Sequence, residues 1–332
     1  MKEILNYLYS HKSLTRDEAK TVLTNIAQGM YNHSQIASFI SVYIMRNITV
    51  EELWGFRDAL LGLCIPVDFN GYNTIDLCGT GGDGKNTFNI STLSSFVVAG
   101  SGYMVAKHGN VGVSSACGSS NIMEFLGYKL SNDLAKLKNE IEATGICYLH
   151  APLFNSAMKN VAPVRKDLGV KTFFNLLGPM VNPSFPKNQM IGVYSLELAR
   201  IYSYLYQQTD KNFIILHSLD GYDEISLTSD FKLISRDFEI IDSPQLFGMS
   251  CLDPDQLKGG ETVKDSVEIF ISILEGKGTE AQNNVVLVNS AVGLKCLKPE
   301  QTMTDCLAEA RESLVSGKAL KALKKLLEMQ PK

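Results

Sequence analysis

The spacing of apolar and polar positions changes character near residue 66. Before it, apolar side chains recur three and four positions apart, the period that places them on one face of a helix. Ala19, Val22, Leu23 and Ile26 form one such stripe, with Ser13 or Thr15 as its cap and Glu18 in its first turn. Ile36, Phe39, Ile40, Tyr43 and Ile44 form a second stripe, opened by Ser34. Leu53, Phe56, Leu60 and Leu61 form a third, opened by Thr49. Pro66 stops the pattern, and the polar stretch 68–73 reads as a linker. Residues 1–66 are therefore expected to form a small all-helical domain.

Beyond the linker, short apolar runs alternate with Gly/Ser/Asn loops and longer amphipathic stretches. Strands are predicted over 74–78, 104–106, 147–149, 190–194 and 213–217, and helices over 91–100, 119–126, 132–144 and 197–209. This alternation predicts an α/β domain over 72–332, with a mostly parallel central sheet and surrounding helices. Residues 153–186 break the rhythm, and part of 155–185 is expected to join the N-terminal helices in space. The segment 262–332 reads as successive helices.

Composition narrows the class. Of 332 residues, 45% are hydrophobic and 20% charged, enough apolar material for a large core and against global disorder. A net charge of −4 argues against a polycationic surface for nucleic acid. Seven cysteines make no C-x-x-C pair and no zinc-type cluster, as in a reducing compartment. The charged N-terminus does not read as a signal peptide, and no apolar run approaches the ~18 residues a spanning helix needs. The expectation is a soluble cytoplasmic protein without membrane or nucleic-acid partners.

The most prominent local chemistry is the segment Asp76-Leu-Cys78-Gly79-Thr80-Gly81-Gly82-Asp83-Gly84-Lys85-Asn86, between a predicted strand and a predicted helix. Glycines there permit positive φ and close backbone approach to phosphate, although a plain strand-to-helix turn uses them too. Two familiar motifs fit badly. The dinucleotide fingerprint wants an acid about 20 residues on, and the first carboxylate after Asp83 is Glu124. A Walker A loop wants Ser or Thr where Asn86 stands.

The 39 positions from 85 to 123 contain no Asp or Glu, where the chain's 35 in 332 would place about four, and 19 of them are Gly, Ser, Thr or Asn. Lys85, Lys107 and His108 are the basic side chains there. A buried core accounts for scarce charge, but a polyanionic, hydroxyl-rich ligand also accounts for the small donors. Ser91 reads as an N-cap or as a hydroxyl offered to phosphate or metal. The loop Lys107–Ser115 is expected just after a short strand, where open α/β sheets bind ligands. Asp223 and Glu224, adjacent acids on a strand-ending turn, would face a polyphosphate only with Mg²⁺ between them. Arg165 is a candidate carboxylate clamp, or an ordinary helix-end arginine.

Together, Cys78–Asp83, Phe88–Thr92, Lys107–Asn110, Val113–Ser115, Ala157–Arg165, Phe174–Pro179 with Asn182-Pro183, and Asp223-Glu224 resemble the anthranilate phosphoribosyltransferase family over essentially the whole chain. That tryptophan-pathway family shares its fold with pyrimidine nucleoside phosphorylases. The resemblance implies a phosphoribosyl pyrophosphate site at Gly79, Gly82, Asp83, Thr87, Asn89, Ile90, Ser91, Thr92, Lys107, His108, Gly109, Asn110, Val111, Gly112, Val113, Ser114, Ser115 and Ser119. It implies Mg²⁺, two ions, on Ser91, Asp223 and Glu224, and anthranilate contacts at Gly79, Asn110 and Arg165. It also implies a homodimer formed through the helical domain. Val111, Cys117, Asn121, the segment 153–156 and Lys171 depart from the family's usual residues.

The implied reaction is attack of the anthranilate amine on C1 of the donor, displacing pyrophosphate. An aniline nitrogen is already a neutral nucleophile, so no general acid or base is assigned. Lys107 is expected to stabilise charge on the leaving group. Two rivals remain at this point. A pyrimidine nucleoside phosphorylase would carry Lys-His-Ser instead of Lys107-His108-Gly109 and would lack the paired acids. A non-catalytic nucleic-acid-binding relative would show a basic patch, for which only the lysine-rich tail 318–332 is available.

Overall fold

The computed structural model describes residues 1–69, 71–112 and 117–331. The chain folds as two compact units: Met1–Val67 with Ala151–Pro183, and Asp68–His150 with Ser184–Lys332.

The first unit begins with four helices, α1 (Lys2–Tyr9), α2 (Arg16–Ala27), α3 (His33–Met45) and α4 (Val50–Leu63). Thr15 and Thr49 cap α2 and α4 in reciprocal boxes with Glu18 and Glu52. The cap of α3 is Asn32 and not Ser34. Asn32 Oδ1 accepts from Gln35 N at 2.9 Å, and Gln35 returns a bond to Asn32 N. Ser34 has Ala37 three residues on, which can return nothing. The buried carboxylate of Glu52 also accepts from Leu14 N and from Arg46, at 3.0 and 2.6 Å, fastening the approach to α2 and the end of α3 onto α4. The chain returns to this unit through α8 (Ala151–Phe154), α9 (Ala162–Leu168) and 3₁₀ turns at Phe173–Leu176 and Gly178–Val181. Ile65 N donates to Phe154 O, and Phe173 stacks on Phe56 at 4.5 Å inside a ring cluster with Phe39 and Tyr43.

The second unit is built on a seven-stranded sheet in the order β3-β2-β1-β4-β5-β6-β7. The strands are β1 (Thr74–Gly79), β2 (Met104–Gly109), β3 (Ile146–His150), β4 (Asn188–Gly192), β5 (Asn212–Ser218), β6 (Phe231–Ile234) and β7 (Glu239–Asp242). The first five are parallel, and β6 and β7 add on antiparallel. Packed with them are α5 (Ile90–Gly100), α6 (Ser119–Phe125), α7 (Leu134–Thr144), α10 (Leu196–Tyr206), α11 (Val263–Leu274), α12 (Glu280–Leu297), α13 (Met303–Val315) and α14 (Lys318–Glu328). The sheet order reverses direction at β1, which has β2 on one side and β4 on the other. Ligands of open α/β sheets settle outside the carboxyl ends of the strands at such a point.

Three further sequence expectations need correction. β2 runs three residues further than predicted, so Lys107 and His108 lie within a strand, paired with Tyr148 and Leu149 of β3. β4 begins at Asn188 rather than Met190. Its polar start is buried and satisfied: Asn188 Nδ2 donates to Thr74 O at 3.0 Å, and Gln189 Oε1 accepts from Tyr206. Ser91 does not cap α5, which starts at Ile90 with Asn89 in the capping position, so Ser91 lies in the first turn. β6 and β7 went unpredicted, being four residues each.

Candidate active site

The carboxyl ends of β1 and β4 each finish in glycine, and Gly79 and Gly192 are register partners. The reason lies above them. A Cβ on Gly79 would fall on the Asp223 carboxylate, and one on Gly192 would fall on the Asp223 carbonyl. The two bare positions form a seat on which the turn after β5 rests. Gly192 carries no sequence-level mark of this role, because its partner lies well beyond it in the chain.

From this seat Asp223 Oδ2 reaches the glycine loop and accepts from Gly81 N at 2.7 Å. Gly81, Gly82 and Gly84 all have positive φ, a conformation that other residues adopt at a cost. Asp83 Oδ1 accepts from Lys85 N within the same loop. Farther along, Gly259 N donates to Asn86 O at 2.7 Å and Thr87 bridges Lys258, so the loop's exit is pinned from the opposite direction.

Asp83, Asp223 and Glu224 thereby converge, each with a carboxylate oxygen within 4.8 Å of the others. Glu224 Oε2 is buried with no hydrogen-bond partner. Burial, with Asp223 and Asp83 beside it, pushes the Glu224 carboxyl well above the usual carboxylate range, while Lys107 pulls the other way. Burial and the Asp223 charge likewise push Asp83 up to about 7. Three crowded carboxylates and one orphaned oxygen are a donor set suited to a hard divalent cation, which satisfies the oxygen and removes the repulsion.

The acidic turn is held from below by Asn289, buried in the middle of α12. Its Oδ1 accepts from Ile225 N at 3.1 Å and its Nδ2 donates to Ile225 O at 2.9 Å. Ser218 Oγ donates to Glu224 O and accepts from Ser226 N. Sequence reasoning missed Asn289, although a polar residue within the apolar run Val285–Leu294 was the available mark.

Other candidate residues have specific placements. The Lys107 ammonium is buried and donates to the His108 carbonyl at 3.0 Å. His108 N donates to Asp76 Oδ1, a side-chain substitute for the strand ladder where β1 and β2 part. Asn89 Nδ2 donates to Cys117 O. The hydroxyls of Thr80 and Thr92 are buried without a partner. Asn110 and Val111 are exposed, and Asn110 Oδ1 accepts from Val111 N. Asn121 Oδ1 receives both Gly112 N and Gly118 N, at 3.1 and 3.0 Å, bracketing the segment between them. Val113, Ser114 and Ser115 lie outside the described residues.

Arg165 belongs to the other unit. It sits on α9, bonds Asn175 Oδ1 at 3.3 Å and lies over the Phe174 ring. Among the described residues no carboxylate pairs with it, and burial lowers its pKa.

Comparison with known proteins follows the same division. The glycosyl transferase family a/b domain matches residues 71–320, and the glycosyl transferase family helical bundle domain matches 2–64. The chain is 61% identical to the anthranilate phosphoribosyltransferase of Flavobacterium psychrophilum, covering 99% of each. Its structure is similar to the Thermus thermophilus anthranilate phosphoribosyltransferase (TM-score 0.91, 28% identity, 98% of each chain). It is also similar to the Saccharomyces cerevisiae enzyme in complex with PRPP and Mg (TM-score 0.90, 25% identity, 98% of this chain and 96% of that one). With this sheet, this glycine seat and identity sustained over the full length, the chain belongs to the anthranilate phosphoribosyltransferase family.

Proposed function

We infer that the protein transfers the 5-phosphoribosyl group of phosphoribosyl pyrophosphate to the amine of anthranilate, a step of tryptophan biosynthesis. The observation that carries this reading is the cluster Asp83–Asp223–Glu224 against the glycine loop, with the Glu224 oxygen unpartnered. A polyphosphate donor needs a cation at that point, and the yeast relative is in complex with PRPP and Mg.

In the proposed site, Asp83, Asp223 and Glu224, with Ser91, would hold Mg²⁺, two ions. An ion held by these residues would supply positive charge to the departing pyrophosphate. Gly79, Gly82, Thr87, Asn89, Ile90, Thr92, the Lys107–Ser115 segment and Ser119 position the donor. Lys107 adds positive charge from a buried position, where it acts more strongly than in water. Arg165, whose guanidinium has no carboxylate partner among the described residues, is the residue proposed to take the acceptor's carboxylate. The amine nitrogen forms the bond to C1 as the C1–O bond to pyrophosphate breaks, and the nitrogen then loses a proton. No residue is required to activate the nitrogen, so catalysis rests on placement and electrostatics.

We also propose that two chains pair through the helical unit and that the protein works in the cytoplasm. Tyr9 and Met45, 56% and 89% exposed, border a groove of about 490 Å³ along α1 and α3, which supports pairing there. No helix among the described residues is long and apolar enough to cross a membrane.

The test is anthranilate fluorescence on incubation with phosphoribosyl pyrophosphate and MgCl₂, leaving out one component at a time. Fluorescence loss should require all three. Loss without the donor, or none with all present, would overturn the reading.

A further inference from the structure

A chain of hydrogen bonds crosses the carboxyl ends of β2 and β3. Ser119 Oγ contacts Asn110 O at 3.4 Å and Tyr148 Oη at 2.7 Å. Tyr148 Oη also contacts Ser120 Oγ at 2.9 Å, and Ser120 Oγ contacts His150 Nδ1 at 2.8 Å. Its direction follows from counting protons. A carbonyl only accepts, so Ser119 spends its proton on Asn110 and receives that of Tyr148. Tyr148 then accepts from Ser120, and Ser120 accepts from His150 Nδ1–H. Every hydroxyl gives one bond and takes one.

The ring of Tyr148 is fully buried and packs edge-on against Tyr128, which phenylalanine would do equally well. Its hydroxyl needs another explanation. It sits so close to the end of β2 that a Cβ on Gly109 would fall on it and on Ser119 Oγ. Burial keeps the His150 pKa below its usual value, with Glu124 opposing, so the neutral ring carries one proton whose position the chain selects.

We propose that Tyr148 and His150 are positioning residues for the phosphoribosyl donor, acting through Ser119 to fix its hydroxyl at the mouth of the β2 loop, where the Ser120 backbone N–H already holds the Asn110 carbonyl at 3.1 Å. The inference rests on the donor site proposed above. The donor-side hydroxyl is held in one orientation before substrate arrives, which removes an ordering cost from donor binding.

Steady-state kinetics on the full-length enzyme tests this. Tyr148→Phe should raise the donor KM about five- to tenfold, the scale of one lost buried hydrogen bond, with kcat and the anthranilate KM within about twofold. Ser119→Ala should do the same, and the double variant should add nothing further, as expected for two groups acting through one bond. His150→Phe should reproduce the loss. His150→Asn, whose amide nitrogen can take the place of Nδ1, should restore a donor KM near that of the parent. Additive effects, an equal rise in the anthranilate KM, an unchanged donor KM, or failure of His150→Asn to rescue would each overturn the proposal. Absence of any turnover by the parent enzyme would instead strike the function itself.

Discussion

Glu224 and Asp83 hold protons that an unfolded chain would release near pH 4. The folded, ion-free protein therefore binds more protons than the unfolded one above that pH. The stability from these groups is complete below about pH 4 and is lost as the pH rises, through about 7 for Asp83 and through the raised value of Glu224. Differential scanning fluorimetry in EDTA should show the melting temperature falling by a few degrees between about pH 5 and 8, and Glu224→Gln should flatten the fall. A variant with the same slope as the parent would remove Glu224 from the account. Asp223 and Glu224 are conspicuous in sequence as adjacent acids on a strand-ending turn. In sequence Asp83 belongs to the donor loop, and its approach to the pair becomes visible only once Gly79 and Gly192 let the turn descend. The parts that sequence could not show share this property: each depends on a residue far away along the chain.

Among elements, α4 illustrates the opposite sign. Burial opposes ionisation of Glu52, but bonds from Arg46, Thr49 and Leu14 outweigh it and hold its pKa below the usual value. That contribution is present above the ordinary carboxylate range and is lost as the pH falls through the lowered value. Glu52→Gln keeps the shape but leaves Arg46 facing a neutral group. It should cost about 3 kcal/mol in urea unfolding, because breaking one side of a buried pair strands the other. A loss below about 0.5 kcal/mol, the range of surface substitutions, would show that the cap alone holds α4. The helices and central strands were legible from period and capping residues, since those signals are local. The strands β6 and β7 were not. Glu239-Ile240-Ile241-Asp242 is too short for a period to register, and its pairing with β6 is a tertiary fact. Lys107 and His108 were likewise expected in a loop, because charge and imidazole are unusual in a buried strand. Their place in β2 is sustained by β3 alongside and by the carboxylate of Asp76.

For the whole molecule, light scattering should give about twice the chain mass of 36.6 kDa. Met45→Glu, which places a charge on the exposed side of α3, should shift the distribution toward the single chain. A monomeric parent at micromolar concentration would remove the pairing from the proposed function. The order in which the large unit can assemble follows from how Asp223 is held. The turn rests on strand ends at Gly79 and Gly192, and it is fastened by Asn289 of α12. Its parts thus come from three distant stretches of the polypeptide, and α12 is made after the other two. A ribosome still short of α12 carries a chain whose glycine loop and acidic turn can be joined by the Gly81–Asp223 bond but lack the Asn289 bonds that hold Ile225. The turn gains its last fastening only once α12 has been made.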